Sequence, residues 1–540
     1  MTAVADPILP PVVLAQPKPA HNPWAVAIVV SMATFMEVLD TSIANVSLHH
    51  IAGNLGAGSS EATWVLTSYL VSNAIILPVS GWLSNVLGRK RFYMTCVALF
   101  TVSSLLCGMA PSLGWLLVFR VIQGAGGGGL APSEQSILAD TFEPRKRGMA
   151  FAVYGLAVVF APAIGPTLGG WITDNFSWRW IFYINVPVGI LSLFLSYRMV
   201  HDSPAAKAQT AETWKHGLSI DYLGFALVAL GLGCLQVVLD KGQEDDWFSS
   251  KFIVVFSTLC VIGILGAIIW EVWFARDPVV DLTLLKKSRF AFTNLLMFIV
   301  GFILNSTTVL IPQFAQQLLG YNATQAGMLL MGGGVALMVM MPVSGILTSK
   351  IQPKYLMTYG IAVTSLAMWH MSTFNLQVTF SQLFWARVYQ AMALPFFFIP
   401  INTVAYSDLP PGRSNHASAL INLMRNLGGS TGIAIAVLLL ERRGEFHHAR
   451  MVEHLTPYDP AFMHAFHNVT NMFSSGTGGA GGLIAPATRA LAMLDATVQA
   501  QATMLAYLDV FRIMAVGCLP VIVLCLMLKK MKSHTASMAH

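Results

Sequence analysis

Apolar residues in this 540-residue chain come in long unbroken runs separated by short polar stretches. A helix needs about 20 predominantly apolar residues to cross a bilayer. The pattern predicts fourteen such spans, at approximately 24–47, 62–84, 92–111, 113–139, 147–171, 180–200, 220–240, 252–273, 290–312, 323–347, 355–373, 381–406, 416–440 and 505–528. The first run is no cleavable leader, because it is too long and carries Glu37 and Asp40. A Pro-rich, almost uncharged stretch precedes it.

Composition turns that pattern into a class. Hydrophobic residues make up 55% of the chain and charged residues 10%, with a mean hydropathy of +0.64. A globular chain carries about 25% charged residues, so this one cannot clothe a soluble surface of its size. The expectation is an all-α polytopic membrane protein. All six cysteines, Cys96, Cys107, Cys234, Cys260, Cys518 and Cys525, fall inside apolar runs. They read as small packing residues rather than as a disulfide framework or a zinc site. The net charge of +6 is modest, and its distribution speaks of orientation, not of a nucleic-acid partner.

With the N-terminus placed in the cytoplasm, 20 Lys and Arg fall in cytoplasmic segments, 7 on the opposite side and 4 within spans. That bias puts both termini in the cytoplasm. On the other side lie a small acidic loop, 241–251, and the large segment 441–504. The latter holds five histidines, His447, His448, His454, His464 and His467. Their spacing matches no strong zinc pattern, so they read as exposed residues of a helical hairpin, with no metal.

The two halves echo each other. Pro78-Val-Ser-Gly81 ends the second span and Pro342-Val-Ser-Gly345 the tenth; Leu116-x-x-x-Arg120-x-x-Gln123 recurs as Leu383-x-x-x-Arg387-x-x-Gln390; Asp140 and Asp408 follow. The offsets are 264, 267 and 268 residues. They predict a cytoplasmic tail (1–23), a six-helix bundle (24–200) and a linker with two inserted spans (201–289). A second bundle (290–528, including the loop 441–504) and a cytoplasmic tail (529–540) complete the chain. Paired bundles around a midplane site are the architecture of alternating-access transporters.

Ionisable side chains inside a span cost about 2.5–3.5 kcal/mol each on insertion scales and are functional candidates by default. Glu37 and Asp40 share one helical face, and Asp40 and Arg120 lie at similar fractional depth, which allows them to pair. Burial raises a carboxyl pKa and a cation lowers it, so such a carboxylate can bind and release a proton. A static ion pair fixing helix packing is the competing reading. Glu134 reads as an interfacial side chain, and Asp509 and Arg512 as residues reaching to the membrane surface. Arg387 and Arg425 are further ionisable candidates within spans, and Gln123, Arg387 and Gln390 are candidates for a central cavity. In the fifth span, Gly165 and Gly169 form a small-xxx-small face, and Pro162 and Pro166 loosen the helix.

Two formal G-x-G-x-x-G matches, at Gly124–Gly129 and Gly476–Gly481, follow no strand, and dinucleotide binding is rejected. There is no P-loop, so ATP hydrolysis by this chain is excluded, and no cofactor is expected.

Four motifs carry a family resemblance. Leu39-Asp40-Thr-Ser-Ile-Ala-Asn45-Val46, Gly81-Trp-Leu-Ser-Asn85-Val-Leu-Gly88-Arg89-Lys90, Arg120-Val-Ile-Gln123-Gly124 and Gly165-Pro166-Thr-Leu-Gly169-Gly170 resemble signatures of the major facilitator superfamily. Within it, they are similar to the 14-span drug:proton antiporters of the EmrB/QacA type, above all to EmrB-like exporters of Gram-negative bacteria. Trp178-Arg-Trp-Ile-Phe-Tyr-Ile-Asn185-Val-Pro187 and the FHHA at 446–449 add to the likeness. The resemblance implies the major facilitator fold, two six-helix bundles plus two inserted helices. It also implies proton coupling through Asp40, with Arg120 in proton transfer, a gating loop at Gly81–Lys90, and an exporter's motif at Gly165–Gly170. Asn85 stands where the loop motif has Asp, and Glu37 where related chains can have Gln.

The function this predicts is proton-driven multidrug efflux of amphipathic small molecules across a bacterial inner membrane. The resemblance implies a periplasmic adaptor and an outer-membrane channel as partners. A proton-coupled importer of a metabolite or siderophore-like compound, or a non-transporting receptor, are the alternatives. Phe396, Phe397, Phe398, Met338, Met340 and Met341 are expected to offer an adaptable apolar wall.

Overall fold

A bilayer offers no water to an exposed peptide group, so each apolar run must satisfy its own backbone as a helix. The structure, a computed structural model, describes residues 22–202, 204–215, 221–275, 278–407, 409, 413–453, 455–475 and 486–528. Asp408, His454, the Gly476–Gly481 motif and most of both tails lie outside the described residues.

In chain order the first helices are α1 (Pro23–Val46), α2 (Leu48–Leu55), α3 (Ser59–Leu87), α4 (Arg89–Met109), α5 (Leu113–Gly127), α6 (Leu130–Thr141), α7 (Arg147–Asn175), α8 (Trp180–Tyr183) and α9 (Asn185–Met199). Next come α10 (Pro204–Lys215), α11 (Tyr222–Lys241) and α12 (Lys251–Trp273). The remainder are α13 (Ser288–Gln317), α14 (Ala323–Lys350), α15 (Pro353–Met371), α16 (Phe380–Ala393), α17 (Pro395–Ala405), α18 (Ser414–Val452), α19 (Pro460–Ser475) and α20 (Pro486–Met527). Local chemistry sets several boundaries. The Asn22 side chain accepts from the Trp24 N–H, with Pro23 in the first turn of α1. Asn322 with Gln325 and Thr379 with Gln382 form capping boxes. Gly88, at φ 84°, makes the turn between α3 and α4 that a side chain would strain.

Eleven helical segments among the described residues are long and apolar enough to cross a membrane, with α8–α9 and α16–α17 each counted as one. The two halves of α7, which meet at a 41° bend beside Pro162, make a twelfth. Two of the fourteen expected spans differ. The run 113–139 is not one helix: it divides into α5 and α6 at Gly128-Gly129. Here the glycines sink α5 between its neighbours, since a Cβ on Gly126 would meet the backbone of Phe100 at 2.8 Å. The run 355–373 folds as the 19-residue α15, but it is not among the helices apolar enough to span unaided.

Packing follows the internal repeat. In the first half α1 lies along α7 and α9, and α5 between α3 and α4. In the second, α13 lies along α18, and α15 and α18 along α20. The halves meet where α7 packs on α14 and α3 on α18, and the α11–α12 pair rests against α3. The small-xxx-small face of α7 works at the α1 seam: a Cβ on Gly169 would lie 2.9 Å from the Ile43 side chain, and one on Gly165 would overlap Ser42. Gly170 has open space instead. In the second half Gly428 and Gly432 bring α18 against α13, where a Cβ would overlap the Phe298 carbonyl or lie 2.6 Å from that of Phe302.

The segment 441–504 is helical for most of its described length. α18 runs on to Val452, α19 follows, and α20 begins at Pro486. Asp509 does not reach to the surface but is held between α18 and α20, 3.0 Å from Arg443 and 2.8 Å from His447. Among the described residues no three His, Cys, Asp or Glu side chains are grouped to hold a metal.

Candidate functional site

The polar groups that the apolar runs carry inward converge on α1. Asp40 and Arg120 are 1% and 0% exposed, and Arg120 Nη1 donates to Asp40 Oδ2 at 2.5 Å. The guanidinium is fixed by further bonds, from Nη1 to Gln123 Oε1 at 2.9 Å and from Nε to the Val65 carbonyl at 3.0 Å. Tyr69 stacks over it, 4.5 Å from ring centre to the guanidinium carbon. Asp40 Oδ1 accepts from Gln123 Nε2 at 3.0 Å and from Asn185 Nδ2 at 2.7 Å. Asn185 in turn donates to Ser104 at 3.0 Å. Breaking a buried pair by removing one charge costs about 3–5 kcal/mol. Removing the Asp40 charge would therefore leave Arg120 uncompensated in the interior.

Two further carboxylates flank this pair. Glu37 accepts from Asn73 Nδ2 at 3.0 Å and from the Tyr69 hydroxyl at 3.3 Å. Glu134 accepts from the Ser31 hydroxyl at 2.6 Å and from that of Thr34. Neither is ion-paired among the described residues. Glu134 is not interfacial but fully buried. Because the fourth expected span divides at the glycines, α6 turns Glu134 onto α1 rather than carrying it to a membrane surface. Ser31, Thr34, Glu37 and Asp40 thus form a slanted row, each three residues from the next, about 13.5 Å long at about 1.5 Å per residue.

Glu37 opens onto a cavity of about 380 Å³ between the two halves, within the range of about 300–1,000 Å³ typical of ligand sites. Its apolar wall is aliphatic, including Leu70, Val158, Leu304 and Leu337. The expected Phe and Met wall is elsewhere. Phe396, Phe397, Phe398 and Met341 are buried in the core and Met338 is exposed on the outside of the bundle; with Met340, none lines the cavity. Helical spacing shows that a face is apolar, not whether it meets lipid, core or cavity.

The second half repeats the arginine without the acid. Arg387 lines the cavity, donates to Gln390 Oε1, and donates to Thr307 Oγ1 at 3.3 Å; Gln390 Nε2 reaches the same hydroxyl at 2.9 Å. Thr307 stands 267 residues after Asp40, as Arg387 does after Arg120 and Gln390 after Gln123. Gln123 and Gln390 were candidates for the cavity, but both are fully buried and occupied in orienting their arginines. Arg425 also lines the cavity and donates to the Tyr154 hydroxyl at 2.7 Å.

At one end of the bundle the Gly81–Lys90 loop meets α18. A Cβ on Gly81 would lie 3.0 Å from the His416 backbone. Asn85 shares a hydrogen bond with the His416 ring at 2.8 Å and accepts from Asn415 at 2.7 Å. Arg89, 4% exposed, is ion-paired with Asp140 and donates to Ser414 at 3.1 Å. The Asp202 carboxylate accepts from the Lys90 N–H in the first turn of α4, and the Lys90 ammonium donates to the Tyr197 carbonyl. Pro166 sits inside α7, past the bend. Asn185, Tyr69, Asn73, Thr307, Glu134 and His416 were not expected as partners. The repeat offset pointed to Thr307 from Asp40, Asn185 stood inside a motif already noted, and Glu134 was marked by its charge within a span; Tyr69, Asn73 and His416 carried no local signal.

Residues 30–433 match the model of the Major Facilitator Superfamily. The chain is 38% identical over 448 residues to the multidrug export protein EmrB of Haemophilus influenzae, covering 83% of this chain and 86% of that one. It is 37% identical over 448 residues to EmrB of Escherichia coli strain K12, covering 82% and 86%. In three dimensions it is similar to the proton:xylose symporter XylE, with a TM-score of 0.56 at 15% identity, covering 79% of this chain and 90% of that one; that likeness shows the fold alone. Paired bundles, the α1 carboxylate facing its arginine, and these matches lead to one conclusion: the chain belongs to the major facilitator superfamily, as an EmrB-like member.

Proposed function

We propose that the protein is a proton-driven exporter of amphipathic small molecules in a bacterial inner membrane, working by alternating access. The observation that carries this reading is the buried Asp40–Arg120 pair, one turn of α1 from Glu37, which opens onto the cavity. Protonation of Asp40 competes with its pairing to Arg120, and Glu37 lets occupancy of the cavity feel the same proton. Inward proton flow then expels substrate by shifting the population between inward- and outward-open states.

The charge bias of the loops supports a cytoplasmic location for both termini and for the end that holds Asn85, His416 and the Arg89–Asp140 pair. On this reading the Gly81–Lys90 loop is the gate, and the Gly165–Gly170 segment of α7 is the seam on which α1 moves. The relatives named multidrug export proteins support the direction of transport. The hairpin formed by the ends of α18 and α20 with α19 is the surface for a periplasmic adaptor leading to an outer-membrane channel. The division into bundles at 24–200 and 290–528, with 201–289 between them, belongs to the same proposal.

The test uses purified protein in proteoliposomes with an interior pH dye, an imposed proton gradient and a panel of lipophilic drugs. Drug addition is expected to trigger proton release that Asp40→Asn abolishes and Glu37→Gln reduces. No release with any drug overturns export; release persisting in Asp40→Asn overturns the coupling assignment.

A further inference from the structure

The cavity wall is electrically lopsided. Among the described residues its charged side chains are Glu37 from the first half, and Arg387 and Arg425 from the second. Arg425 is steadied by Tyr154. Arg387 is 4% exposed, has no carboxylate within ion-pair distance among the described residues, and leaves its Nε without a hydrogen-bond partner. The repeat explains how this arose: Thr307 occupies the place that Asp40 holds opposite Arg120. The arginine and the glutamine three residues on are kept, whereas Ala336 and Leu304 stand where the first half has Tyr69 and Glu37. Gly333 packs on the same side chain, where a Cβ would lie 3.0 Å from Nε, so the helix beside it presents backbone and no counter-charge.

A guanidinium withdrawn from water without a partner is unfavourable, and its planar donors match a carboxylate. We propose that Arg387, with Arg425 beside it on the same wall, is a head-group subsite for substrates bearing a carboxylate, whose apolar body lies against the aliphatic wall. The anion of the substrate supplies from the cavity the counter-charge that Asp40 supplies in the first half. This deepens the export reading and rests on its assignment of the cavity to substrate.

The experiment is equilibrium binding, which needs no transport. The full chain in phosphatidylcholine nanodiscs is titrated with 4-butylbenzoate and, separately, with its uncharged amide, after subtraction of empty nanodiscs. The wild type is expected to bind the benzoate at least about tenfold more tightly, a factor of about 1.4 kcal/mol. Arg387→Gln is expected to bring the two affinities together. Thr307→Asp, which keeps the arginine and supplies the missing carboxylate, is expected to do the same. Each variant is taken forward only when it elutes as a single species with a cooperative melt, and Arg387→Lys, which keeps a positive charge, retains part of the preference. A wild type that does not distinguish acid from amide overturns the proposal, as does a folded Arg387→Gln or Thr307→Asp that still does. Failure of drug-driven proton release strikes the export reading instead, and the binding comparison separates the two.

Discussion

The two halves of this protein hold the same arginine and glutamine, 267 positions apart, to opposite effect. In the first, Arg120 meets Asp40 and is consumed: its charge is balanced and it fixes three helices together. In the second, Arg387 meets the uncharged Thr307 hydroxyl and Gln390 amide and faces the cavity. One side chain on the first helix of each half thus decides whether a duplicated guanidinium is ion-paired or left without a counter-charge. The glycine seams differ as well. At Gly165 α7 meets the Ser42 side chain of α1, whereas at Gly428 α18 meets only the Phe298 backbone of α13. The first obstruction can turn aside and the second cannot.

The strongest way to break the comparison is Asp40→Asn. Beyond the loss of coupling, stranding Arg120 is expected to cost about 3–5 kcal/mol of stability. Adding Arg120→Gln should restore the thermal midpoint without restoring drug-driven proton release; recovery of both would mean the pair is only structural. Next, Gly428→Ala is expected to lower the melting midpoint more than Gly165→Ala, with overpacking costing about 1–3 kcal/mol. Equal losses would show that the two seams are alike. Comparable in size but opposite in sign, Thr307→Asp should raise stability, since a hydrogen bond to a charged group is worth about 1.5–3 kcal/mol; a fall in midpoint would mean Arg387 is already satisfied. The least effect is expected from Glu134→Gln, whose amide keeps contact with Ser31 and Thr34 at a cost of about 0.5–1.5 kcal/mol. Loss of drug-driven proton release in that variant would add Glu134 to the coupling groups.

Much of this was legible in the residues. Uninterrupted apolar runs can only be helices in a bilayer, and fractional depth along two of them was enough to bring Asp40 opposite Arg120. Depth failed for Glu134, because it assumes a straight helix and the glycines at 126–129 end one axis and begin another. The aromatic and Met runs of α14 and α17 failed differently: an apolar face is equally at home against lipid, core or ligand. Thr307 was hidden by its chemistry, since a threonine in an apolar helix announces nothing until it is set beside the acid it replaces. His416 was missed because Asn85 looked like a lost charge, whereas it meets a hydrogen-bonding ring across the seam.

The 39 residues of α18 and 42 of α20 also have a mechanical meaning. At about 1.5 Å per residue α18 is about 58 Å long, roughly 28 Å more than the hydrocarbon it crosses. No break separates the part inside the membrane from the part beyond it, and Arg443, His447 and Asp509 clamp the two helices where they leave the apolar region. The pair is therefore a rigid lever. A tilt of about 10° in the membrane becomes a sweep of about 5 Å at its tip over that projecting length, so a change of state inside the bilayer is legible, as displacement, to anything seated on the far end.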